Sequence, residues 1–96
     1  MPSKRSIATA LKLTRRARGL SQEAFSDVSS RTYLSSLERG VKNPTLRKIA
    51  EICKVLDLHP LTLLTLSYTG VNIAQVDAIA TRVRREILAL NRPGKR

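Results

Sequence analysis

At 96 residues, 42% hydrophobic and 3% aromatic, the chain has room for one small domain, or one with a short appendage, built on a Leu, Ile, Val and Ala core. Lys and Arg number 18 against 7 Asp and Glu, a formal charge of +11 that implies a polyanionic partner, while so few aromatics argue against single strands held by base stacking. No apolar run reaches the ~18 residues of a membrane span. No membrane partner is therefore expected, and the single cysteine, which excludes an internal disulfide, suits a reducing, cytoplasmic setting.

Met1 to Arg5 form a short basic arm that either touches phosphate or stays solvated. Ser6 caps a helix from Ile7 to Arg18, in which Ile7, Leu11 and Thr14 follow helical spacing, and Gly19 ends it. The stretch from Leu20 to Gly40 reads as two short helices joined by a tight turn. Ser21 caps the first of them, Glu23 sits in its positive end, and Leu20 and Phe25 are placed to form a hydrophobic staple. Val28-Ser29-Ser30 makes the turn; Ser30 then caps a helix from Arg31 to Arg39, which Gly40 terminates. Leu34 and Leu37, with Tyr33 beside them, mark its buried face, leaving Arg31, Thr32, Ser35, Ser36 and Arg39 for water or a partner.

Val41-Lys42-Asn43-Pro44 is a loop, followed by Thr45 as cap of a helix from Leu46 to Leu56 with a stripe of Leu46, Ile49, Ala50, Cys53 and Leu56. Cys53 reads as core filler, and Arg47, Lys48 and Lys54 as solvated charges. Pro60 opens a further helix at the position where its missing N–H costs nothing, and Leu61 to Leu66 close the core. His59, the single histidine, has no partners for a metal and reads as a cap or surface residue. Tyr68-Thr69-Gly70 breaks the pattern, dividing the chain into a domain over 1–68 and a C-terminal helix with basic tail over 69–96.

In that second part a long helix from Val71 to Asn91, ended by Pro93-Gly94, carries Ile73, Val76, Ala80, Val83, Ile87 and Leu90 at alternating steps of three and four. Such a seam must be covered, either by its own domain or, the favoured expectation, by a second subunit. Arg82, Arg84, Arg85, Arg92, Lys95 and Arg96 make this end basic, with a solvated face as the default reading.

The runs Arg18-Gly19-Leu20-Ser21-Gln22-Glu23, Ser30-Arg31-Thr32-Tyr33-Leu34-Ser35, Leu37-Glu38-Arg39-Gly40, Asn43-Pro44-Thr45-Leu46 and Ile49-Ala50 resemble the helix-turn-helix family of phage Cro and repressor proteins and bacterial Xre-type regulators. The resemblance implies an all-α, five-helix lambda-repressor-like domain, here with an additional C-terminal helix. It also implies an ion pair between Arg15 and Glu38, and a grip on the DNA backbone by Lys42 and Asn43. One departure is that the link between the two motif helices is about two residues shorter than the family's usual pattern and lacks its turn glycine. Because Arg15 to Leu20 belong to the motif, the acid-free first 22 residues, which mimic an organelle presequence, are not read as a cleaved leader.

A B-DNA major groove accepts one helix and displays a distinct pattern for each base pair. Base contacts are expected from Arg31, to guanine O6 and N7, from Thr32, and from Ser35 and Ser36, which are short and demand close approach or a bridging water. Phosphate contacts are expected from Gln22, Ser30, Tyr33, Arg39, Lys42 and Asn43. No paired acids, nucleophile set, phosphate loop or metal-ligand cluster gives catalysis a footing, so no enzyme, cofactor or metal is expected. The expected function is a sequence-specific regulator of transcription, a homodimeric repressor of double-stranded DNA on an inverted repeat. The alternatives are an antitoxin, with a toxin as protein partner, and the controller of a restriction-modification system.

Overall fold

A computed structural model describes residues 6–92. The basic arm, the Pro93-Gly94 stop, Lys95 and Arg96 lie outside the described residues. Five α-helices and one 3-10 turn make up the secondary structure of the described residues: α1 (Ile7–Ala17), the turn Gln22–Phe25, α2 (Arg31–Glu38), α3 (Leu46–Leu56), α4 (Pro60–Thr69) and α5 (Ile73–Leu90).

Local chemistry fixes the boundaries. Ser6, Ser30, Thr45 and Asn72 each accept a hydrogen bond from the backbone N–H three residues on, satisfying one of the donors a helix start leaves free. His59 caps α4 from one residue nearer, its Nδ1 accepting from Leu61 N–H two residues on at 3.0 Å. Gly40 closes α2 with φ +74°, its N–H bonded to Leu37 carbonyl and that of Val41 to Ser36 carbonyl, a paired ending that requires a left-handed residue. Asp57 plays the left-handed part after α3 at φ 57°. Arg18 reinforces that end by donating to the carbonyls of Leu56 at 2.9 Å and Asp57 at 3.1 Å, a cation placed at the negative pole of the helix.

The first helix of the motif departs from the sequence expectation. Only the four residues Gln22–Phe25 wind, as a 3-10 turn, and the Ser21 side chain makes no capping bond. The short link supplies the reason: with few residues between Phe25 and Ser30, the chain turns at once, the N–H groups of Val28 and Ser29 both bonding to Phe25 carbonyl at 2.9 Å. No glycine is needed because none of Val28, Ser29 and Ser30 takes a positive φ, and Lys48 braces the turn by donating its ammonium to Val28 carbonyl while pairing with Glu51 at 3.0 Å. Lys48 is therefore half-buried rather than solvated. At the other end, α4 runs through Tyr68 to Thr69, where Thr69 Oγ1 donates back to Thr65 carbonyl.

Leu11, Phe25, Leu34, Leu37, Ile52 and Leu56 form one core cluster, with Leu20 packed against it, so α1, α2, α3 and the 3-10 turn meet in a single interior. A second cluster of Ala10, Ile49, Cys53 and Leu63 joins α4 to α1 and α3. Each large apolar side chain removed from water contributes about 1.5–3 kcal/mol. Burial pushes the Cys53 thiol pKa up, keeping it protonated and unreactive. α5 stands apart from this interior. It packs against α4 but contains no buried residue.

Candidate nucleic-acid interface

α2 is anchored by its inner face and by one ion pair. Leu34 and Leu37 are sealed in the core, and Glu38, the last helical residue, is buried. Arg15 of α1 reaches Glu38 with two parallel bonds, Nε to Oε2 at 2.6 Å and Nη2 to Oε1 at 2.9 Å, while its Nη1 donates to Leu20 carbonyl at 2.9 Å. Hydrogen bonding to Glu38 raises the Arg15 pKa above the ordinary guanidinium range despite an opposing desolvation, so the cation is permanent. This fork ties α1, the chain before the 3-10 turn and α2 into one rigid body.

On the opposite side, Gln22, Arg31, Thr32, Ser35 and Arg39 line one shallow outward concavity of about 350 Å³. Arg31 and Thr32 are exposed at the start of α2 and Ser35 is half-buried one turn on. The Ser30 hydroxyl accepts from Tyr33 N–H at 3.0 Å. Arg31 Nη1 lies 3.3 Å from Glu23 Oε1, an exposed pair of the kind worth about 0–1 kcal/mol. So weak a tether orients the guanidinium and can yield to a stronger acceptor. Gln22 Nε2 donates to Glu38 Oε1 at 3.3 Å, linking the rim of the concavity to the buried pair.

Ser36 does not belong to this face. It is 7% exposed, covered where the chain after Gly40 folds back to bond its carbonyl and where Arg39 Nη2 approaches its hydroxyl at 3.4 Å. A helical wheel places Ser36 outward because it takes no account of the loop that packs over the end of α2. Tyr33 is also turned in, half-buried against the core, with the Lys42 ammonium 5.8 Å from its ring centre. Lys42 and Asn43 are exposed in the loop after α2, and Arg39 at its end. Gln22 cannot draw on a helix macrodipole, since a four-residue 3-10 turn aligns too few peptide units.

Two contributors were invisible in the sequence. Glu23 meets Arg31 across a turn, where no periodicity operates, and Lys48 supports the turn from another helix. On the apolar side, the six seam positions of α5 divide. Val76 is half-buried on α4, whereas Ile73, Val83, Ile87 and Leu90 are 69%, 47%, 59% and 85% exposed, and Ala80 is exposed too. Ile79, outside that register, is the other apolar α5 residue that is half-buried. No helix among the described residues is long and apolar enough to cross a membrane.

Part of this sequence is similar to known proteins. A helix-turn-helix family model matches residues 11–63, more than half of the 96. Among curated proteins, the chain is 43% identical over 53 residues to one described as an uncharacterised HTH-type transcriptional regulator, y4dJ, of Sinorhizobium fredii (strain NBRC 101917 / NGR234), the alignment covering 53% of this chain and 69% of that protein. No solved structure matches.

Proposed function

The chain belongs to the helix-turn-helix family of DNA-binding transcriptional regulators, and from that premise we propose that it acts as a dimeric repressor, reading an inverted-repeat operator with α2 in the major groove. The observation that carries this reading is the single outward concavity shared by Gln22, Arg31, Thr32, Ser35 and Arg39, backed by a rigid ion-paired frame. Arg31 presents its guanidinium to guanine O6 and N7, Thr32 offers a methyl to thymine or a hydroxyl to a base edge, and Ser35 reads through close approach or water. Gln22, Ser30, Arg39, Lys42 and Asn43 hold the flanking phosphates, and Tyr33, half-buried outside the concavity, adds a phosphate contact through its hydroxyl.

The exposed apolar residues of α5 support the second half of the proposal. A helix leaving Val83, Ile87 and Leu90 in water is poorly satisfied alone, and a second copy laid against it would cover them. Reading an inverted repeat requires the two α2 helices of such a dimer to lie about one DNA turn apart, ~34 Å, and the bound dimer would exclude polymerase from an overlapping promoter.

Binding measured on an operator selected from random duplexes tests the division of roles. Arg31→Ala is expected to relax preference at one base position at a cost of about 1–3 kcal/mol, whereas Lys42→Ala weakens all sequences alike and lowers the salt slope by about 1. Equal loss on specific and random duplexes in both variants would contradict the assignment.

A further inference from the structure

The described cations separate into those with a structural partner and those without. Arg15 is held by Glu38, Arg18 by the end of α3, Lys48 by Val28 and Glu51, Arg31 by Glu23 and Arg82 by Glu86. Among the described residues, the side chains of Lys12 and Arg16, like those of Arg47, Lys54, Arg84, Arg85 and Arg92, make neither a hydrogen bond nor an ion pair, and Lys12 and Arg16 are both exposed. They lie four residues apart on α1, a helix with no acidic residue, and like charges at that spacing repel each other.

Their position is the informative part. Lys12 and Arg16 line a shallow groove of about 1090 Å³ between α1 and the end of α2, with Leu13 and Val41 beside them and Glu38 at its side. The Glu38 carboxylate is already neutralised by Arg15, so the groove keeps a positive lining. Arg39 lines this groove and also the concavity on the outer face of α2. The two basic surfaces are therefore continuous through one side chain.

We propose that the DNA interface extends beyond the motif onto α1, with Lys12 and Arg16 gripping the phosphate backbone next to the segment that Arg39 holds; this rests on the proposed docking of α2 in the groove. Evenly spaced phosphates suit separated cations on a shallow ledge, and backbone sugars suit the apolar Leu13 and Val41 beside them. Contacts of this kind add affinity and fix orientation without reading sequence.

The test is the salt dependence of binding by the full chain, as wild type, as Lys12→Gln/Arg16→Gln and as Lys54→Gln, a control with an exposed cation on α3. Each is measured on the selected operator and on an unrelated duplex of equal length. Removing two phosphate contacts is expected to flatten the slope of log affinity against log salt by about 1.8, since each contributes about 0.9. The flattening is expected on both duplexes, with base preference unchanged, no fall in melting temperature and the control keeping the wild-type slope. An unchanged slope in the double variant would overturn the extension and reassign the ledge to another partner, such as an acidic polypeptide. A per-charge loss in Lys54→Gln equal to that of the double variant would also overturn it, since net charge alone would then explain the effect. Absence of any duplex binding by the wild type is a different result, which removes the DNA-reading proposal and the extension with it.

Discussion

Glu38 accepts three side-chain hydrogen bonds, two from Arg15 and one from Gln22, with only 4% of its side chain exposed. Removing one partner of such a pair leaves the other charged, desolvated and unmatched, at a cost of about 3–5 kcal/mol. Glu38→Ala is accordingly expected to unfold at much lower urea than wild type while keeping its base preference wherever it remains folded. Wild-type unfolding by that variant would contradict the structural role. Family resemblance points to Arg15 and Glu38 as partners, but 23 residues of separation give the residues themselves no way to announce it. Ser35 and Ser36 make the complementary point: adjacent and chemically identical, they differ because the chain after Gly40 covers only the second.

At the scale of elements, capping and periodicity were legible wherever the signal was local. The starts of α1, α2 and α3 at Ile7, Arg31 and Leu46 follow from Ser6, Ser30 and Thr45 with an apolar stripe behind each. The 3-10 turn was not legible, because a Ser cap and an amphipathic beginning look alike whether one turn or three come after. Its length was decided by the short link, in which the N–H groups of Val28 and Ser29 turn back at once onto Phe25 carbonyl. α5 was found by pattern, yet its attachment could not be. It rests on α4 through Val76 and Ile79, and Gln75 Oε1 is buried there with no hydrogen-bond partner among the described residues. So slight a contact does not explain an apolar stripe that continues to Leu90. If a second copy covers that stripe, Ile87→Asp is expected to convert a dimer to a monomer with helical content retained, since Ile87 is 59% exposed in the single chain. Solution mass from light scattering checks this, and a wild type with the mass of one chain would contradict it.

The whole molecule is longer than its residue count requires. A compact chain of this length has a radius of gyration of about 12.5 Å, against 15.3 Å here and extents of 49 × 25 × 24 Å. The excess comes from α5, whose 18 residues span about 27 Å and project from the core. The resulting shape separates two tasks, an outward polar surface around α2 and an apolar arm at the far end of the chain. Net charge was plain from composition, but its deployment was not, because only the fold shows which cations brace helices and which face outward. On the proposed function, Arg31 meets a guanine edge in the major groove. Methylation interference on the selected operator tests it most directly, by modifying guanine N7. The expected result is that methylating one guanine in each half-site abolishes wild-type binding and leaves Arg31→Ala binding unaffected; wild-type binding indifferent to every N7 methyl group would contradict it.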